Sequence, residues 1–180
     1  MSLPEPRGGA GAVSLGAEPR TGRTSRYGMR LVRTGFGNVL GNDFAALGFS
    51  FLGSELTERA YDFSAHAGFR FWAKAERALK LRVNVTTMAS RGTLQGGTCE
   101  GANCNDHFGV FAELTPTWAQ YTVALASMTQ RLEGWGKVVP KDLEHASSVD
   151  FFYVGLYSSP ALTHDNPAAF TFVIDDVQLY

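Results

Sequence analysis

Several common chemistries are missing from this chain. It has no apolar run near the roughly 20 residues that a membrane-spanning helix needs. It has no excess of either charge. Lys and Arg total 16, Asp and Glu 17, and the formal net charge is -1, so no broad basic field selects nucleic acid or anionic lipid. There are only two cysteines, and no His or Cys follows them at zinc-site spacing. The serine-hydrolase elbow Gly-x-Ser-x-Gly and the metalloprotease His-Glu-x-x-His are both missing. The start, Met1-Ser2-Leu3-Pro4-Glu5, leads into Gly and Pro without the apolar stretch of a signal peptide. No long amphipathic helical pattern is found either.

What remains is the material of a β protein. Hydrophobic residues are 44% and charged residues 18% of 180, a balance that favours a packed core over disorder. That length suits one domain. Thirteen Phe, six Tyr and three Trp sit among 20 Gly, as short strands between glycine turns require. Residues 1–24 read as a flexible arm with a remnant edge strand around Ala12 to Leu15, and residues 25–180 as the folded module. Strand patterns begin near Arg26, at 44–52, 69–74, 108–114, 118–125, 149–156 and 170–180. The clearest alternation places Leu79, Leu81, Val83 and Val85 inward, with Lys80, Arg82, Asn84 and Thr86 outward. The fold class expected is all-β, a two-sheet antiparallel sandwich.

Cys99 and Cys104 lie in a long loop, 87–107, of the length that is often functional. They read either as two free thiols or as a small disulfide that a Gly-containing loop closes easily. So short a ring contributes only about 2 kcal/mol, so its role would be to shape the loop. A bridge would place the protein in an oxidising compartment, extracellular or at a cell surface.

The order of several motifs is informative together. Tyr61-Asp62-Phe63-Ser64 precedes Gly68-Phe69-Arg70-Phe71-Trp72-Ala73-Lys74. Trp118-Ala119-Gln120-Tyr121-Thr122-Val123 and a final Ile174-Asp175-Asp176-Val177 follow. This order resembles the galactose-binding-like jelly-roll carbohydrate-binding modules appended to bacterial cellulases and related hydrolases. A narrower branch is similar in Cys104-Asn105-Asp106-His107-Phe108-Gly109 and in Gln130-Arg131-Leu132-Glu133-Gly134-Trp135-Gly136. The likeness spans about residues 25–180. The acidic pair of that family's opening strand has no counterpart here. The resemblance implies a jelly roll whose concave sheet face takes a glycan, a parent glycoside hydrolase, and a structural calcium ion near the last strand.

Candidate residues follow, each with a plainer alternative. Arg82, Asn84 and Thr86 offer directed polar groups to sugar hydroxyls, or form an ordinary solvated sheet face. Phe111 beside Glu113 makes a sugar platform, or packs under the 87–107 loop. Asp106 and His107 bind at one end of the groove, or fasten the loop. Trp135 stacks on a sugar, or seals one end of the sandwich. Tyr153 and Tyr157 contribute hydroxyls to the site, or belong to the core. Trp72 and Trp118 are assigned to structure. Asp175 and Asp176 are the calcium candidates, or solvated acids at an edge bulge. The function expected is non-catalytic binding of a β-linked polysaccharide. Two alternatives stand beside it. One is a polysaccharide-degrading jelly-roll enzyme, for which Glu113 is one acid and no second is placed. The other is a protein-interaction or surface module without a glycan site.

Overall fold

The computed structural model describes residues 11–16, 28–36, 44–52, 59–101, 104–131, 136–154 and 168–180. Nine strands run through them: β1 (Gly11–Gly16), β2 (Gly28–Phe36), β3 (Phe44–Ser50), β4 (Gly68–Ala75), β5 (Leu79–Thr87), β6 (Phe108–Leu114), β7 (Ala119–Ala124), β8 (Ala146–Val154) and β9 (Ala168–Leu179). Among the described residues, helix is limited to three single 3-10 turns. The strands form a five-stranded sheet, β1-β2-β9-β4-β7, and a four-stranded sheet, β3-β8-β5-β6. Every strand pair is antiparallel. The expected antiparallel sandwich is therefore the fold, and the edge strand around Ala12 to Leu15 is β1, paired with β2.

Period-two patterning decides which side chains meet between the sheets. Phe69, Phe71, Ala73 and Ala75 of β4 are buried, as are Phe170, Phe172 and Ile174 of β9. Facing them are Leu79, Leu81, Val83 and Val85 of β5, Val149 and Phe151 of β8, and Leu47 of β3. Phe71 and Phe151 join the two layers edge to face, with ring centroids 4.8 Å apart. Tyr121 stacks on the same Phe71 ring at 5.4 Å. A second aromatic group, Phe51, Tyr61 and Phe63, closes one end. There Asp62 turns the chain: its Oδ1 accepts the Ser64 backbone N–H at 2.8 Å.

In β9, Asp176 adopts a left-handed φ of 54°. The register with β4 slips at this point, between Arg70 and Trp72, so Asp176 is the extra residue of a β-bulge.

The Phe71–Phe151 contact yields a direct test. Phe71→Ala should destabilise the fold by about 3–5 kcal/mol, the usual cost of removing a fully buried ring, as read from chemical denaturation. A loss under about 1 kcal/mol would mean that this contact does not couple the sheets.

Candidate functional site

The site is built on the outer face of the four-stranded sheet. Leu81, Val83 and Val85 point inward, so Arg82, Asn84 and Thr86 must share the opposite face of β5. Register then assigns their neighbours. Asn84 lies between Asp150 of β8 and Gly109 of β6, and Gly48 of β3 lies beyond Asp150. One transverse row therefore reads Gly48, Asp150, Asn84, Gly109. The row on one side pairs Arg82 with Phe111, and the next pairs Lys80 with Glu113. On the other side Thr86 pairs with Ser148.

Glycine at both ends of the central row follows from close approach. A Cβ on Gly48 would collide with the Asp150 carboxylate, and one on Gly109 with the Asn84 amide oxygen. The two polar side chains lie outward over their glycine neighbours, away from each other. Asp150 Oδ2 also accepts Thr86 Oγ1 at 2.7 Å and Ser148 Oγ at 3.2 Å. Asn84 Oδ1 is enclosed with no hydrogen-bond partner, a state that costs about 1–3 kcal/mol for a buried acceptor.

This face differs from a solvated one. Arg82 and Asn84 are each 6% exposed and Thr86 is 1% exposed. For Arg82 the reason is visible. Its guanidinium donates to the backbone oxygens of Thr129 at 2.5 Å and His107 at 3.3 Å, drawing the segment after β7 against the edge of β6. Gly109 and Thr129 complete that join with reciprocal backbone hydrogen bonds. Phe111 remains accessible at 40% exposure, with Lys80 Nζ 4.6 Å and Arg82 Cζ 5.5 Å from its ring centroid. Glu113 is exposed.

Asp106 and His107 sit where the 87–107 loop returns to the sheet, and both take part in fastening. The Asp106 carboxylate accepts the Arg131 backbone N–H, with both oxygens at 3.1 Å, and its carbonyl accepts Gln130 Nε2 at 2.8 Å. Gln130 also bonds the Lys137 carbonyl and the Val139 N–H, which ties residues 137–139 to the segment after β7. Gly136 lies so close to Asp106 that any Cβ there would clash with it. His107 Nδ1 lies 2.9 Å from Ser90 Oγ. Burial first, then the guanidiniums of Arg91 and Arg82, push the His107 imidazole down to about 3.

The two cysteines form a disulfide, Cys99–Cys104. It closes a loop already tied at several points. Cys99 bonds the Arg91 carbonyl, and Asn105 N–H bonds Ser90. The buried Arg91 donates to Gln95 O at 2.8 Å and to Ser147 Oγ at 3.2 Å.

Of the other candidates, Trp135 and Tyr157 lie outside the described residues, and Tyr153 is described by its backbone only, opposite Ala45. Trp72 and Trp118 are half-buried on the outer side of the five-stranded sheet. Asp175 is 8% exposed and Asp176 occupies the bulge. Among the described residues, no third acid, His or Cys joins these two carboxylates. Two carboxylates supply at most four of the six to eight oxygens that calcium takes.

As site residues, sequence reading missed Asp150 and Gly48, and it met Gly109 only as the end of the Cys104–Gly109 motif. The available signal was the acid itself, a lone Asp in the apolar run Val149-Asp150-Phe151.

Solved structures of similar shape are now informative. A family 11 carbohydrate-binding module from Clostridium thermocellum, solved in complex with a β-1,3-1,4-mixed-linked tetrasaccharide, superposes with a TM-score of 0.62 at 16% identity, covering 96% of this chain and 84% of that one. The fold is that of a jelly-roll carbohydrate-binding module. The family 11 module of the cellulosomal cellulase Lic26A-Cel5E from the same organism matches equally well, with a TM-score of 0.62 at 17% identity over 96% of this chain and 82% of that one. A family 30 carbohydrate-binding module matches with a TM-score of 0.56 at 12% identity, over 98% and 95% of the two chains. No protein-family model and no curated protein matches the sequence.

The His107 environment gives a pH prediction. A base whose pKa is lower folded than unfolded favours the fold most above its unfolded value. That contribution is lost as pH falls from about 6.5 towards about 3. Between pH 6.5 and 5, stability should fall by up to about 1.4 kcal/mol per pH unit through this group. His107→Gln should flatten that slope in denaturation curves. An unchanged slope would show that the imidazole takes up its proton as readily in the fold as in the unfolded chain.

Proposed function

We propose that this protein is a non-catalytic carbohydrate-binding module that holds a neutral β-linked polysaccharide on the outer face of its four-stranded sheet. The observation that carries this reading is the row Gly48, Asp150, Asn84, Gly109 beside exposed Phe111. A carboxylate and a primary amide on adjacent strands offer fixed acceptors and a donor pair to sugar hydroxyls. Rotation of the Asn84 amide towards a ligand hydroxyl would satisfy the oxygen that now lacks a partner. The ring edge of Phe111 covers sugar C–H surface, and Lys80 and Arg82 hold that ring in place. A similarly folded module was solved with a mixed-linkage β-glucan fragment, which makes that glucan the first ligand to try.

The spacing of acids supports binding over hydrolysis. Glu113 and Asp150 share the face but lie two strands and four residue steps apart, roughly 16 Å between Cα atoms at ordinary sheet spacing. Paired glycosidase carboxylates stand about 5–9.5 Å apart. The disulfide suits an oxidising, extracellular setting. A parent glycoside hydrolase is part of the same proposal. A calcium ion at Asp175 and Asp176 is a separate one: a melting temperature raised by calcium and lowered again by chelator would support it, and identical melting curves would refute it.

Native affinity gels containing mixed-linkage β-glucan test the main reading. The protein should be retarded, and Asn84→Ala and Phe111→Ala should each weaken binding about tenfold, the loss expected for one well-placed hydrogen bond or ring contact. Because the Asn84 oxygen has no partner in the fold, Asn84→Ala should not lower the melting temperature. Mobility unchanged by every neutral β-glucan would count against the proposal, and degradation of the glucan would favour an enzyme.

A further inference from the structure

In the central rows of the four-stranded face, the polar side chains differ in what they already hold. Arg82 donates to the backbone oxygens of Thr129 and His107. Thr86 and Ser148 both donate to Asp150. Those four groups are engaged in fastening the fold. Asn84, between Asp150 and Gly109, is in a different state. Its side-chain oxygen is enclosed and accepts no hydrogen bond, although the residue is only 6% exposed. Bare backbone borders that oxygen, since a Cβ on Gly109 would collide with it. An acceptor buried and left unmatched in the fold is matched only by a ligand that brings a proton.

We propose that Asn84 makes this face selective for polysaccharides whose hydroxyls are unsubstituted, against chains that carry O-acetyl or O-methyl groups. The inference rests on the glycan-binding reading above and names what that site reads. A free sugar hydroxyl can donate to the Asn84 oxygen once the amide turns towards it. An ether or ester oxygen in the same place has no proton to give. It can accept from the amide nitrogen, but it leaves the amide oxygen without a partner, as in the free protein. Sites that hydrogen-bond a ligand hydroxyl discriminate against analogues lacking it for this reason. Phe111 does not make the same distinction. Its ring covers sugar C–H surface, and an added methyl or acetyl group leaves that surface in place. Ring and amide thus share the affinity, and the choice between bare and substituted chains falls to the amide.

Native affinity gels can compare mixed-linkage β-glucan with water-soluble O-methylated and O-acetylated derivatives of the same glucan. The unmodified chain should bind at least about tenfold more tightly than either derivative, the loss expected for one hydrogen bond to a buried acceptor. Alkaline removal of the acetyl groups should restore binding. Asn84→Ala should weaken binding of the unmodified glucan about tenfold and leave that of the derivatives unchanged, so that the preference shrinks by the same factor. Asn84→Asp keeps an acceptor in place and should keep the preference. Phe111→Ala should weaken binding to all three alike. Equal binding of bare and substituted glucan by the unaltered protein would overturn the proposal and leave the glycan-binding reading standing. A preference that survives undiminished in Asn84→Ala would also overturn it. Binding to none of the three would overturn both.

Discussion

The edge-to-face contact between Phe71 and Phe151 sets the geometry of the rest of the molecule. It joins the five-stranded sheet to the four-stranded one through an inner strand of each, β4 and β8. A strand alternates faces with period two. Once Phe71 points in, Arg70 and Trp72 point out, and once Phe151 points in, Asp150 points out. Both outer surfaces therefore follow from one buried aromatic pair, and a slip of one residue in either strand would invert a whole face. The stacked Tyr121 adds a third ring from β7 and holds Phe71 in its rotamer.

Around that frame, polar side chains fasten loops by bonding to backbone. Arg82, Asp106 and Gln130 bind the segment after β7 to the edge of β6 and to the end of the long loop. Lys141 holds the 3-10 turn after β7 through the carbonyls of Leu125, Ala126 and Met128. Arg91 pins the disulfide loop to β8. Buried guanidinium and carboxylate groups are tolerated here because each meets fixed backbone dipoles. The disulfide is one fastener among several, in keeping with the small energy that a short ring supplies.

Much of this was legible in the sequence, for physical reasons. The β5 alternation, Leu79 to Thr86, declares both faces of a strand. The tight spacing of Cys99 and Cys104 in a glycine-bearing loop allowed a bridge. The outward exposure of Phe111 and Glu113 followed from Val110, Ala112 and Leu114. Burial of Arg82, Asn84 and Thr86 was not legible, because it depends on covering segments remote in sequence: Thr129 is 47 positions from Arg82. Asp150 was hidden for a similar reason. Its place beside Asn84 comes from register between strands separated by 66 positions, which no local pattern carries. Trp72 read as structural because aromatic residues in strands ordinarily serve the core, whereas the alternation of β4 turns it outward.

The glycines that end the Asp150–Asn84 row carry a consequence for reading relatives of this chain. Contact residues on a sugar-binding face are free to change as the preferred glycan changes, because any of several side chains can meet a hydroxyl. Gly48 and Gly109 have no such freedom while the side chains beside them lie outward over bare backbone. Divergence should therefore erode the polar pair before it erodes its borders. In a distant homologue, the surviving imprint of this face would be two residues with no side chain at all.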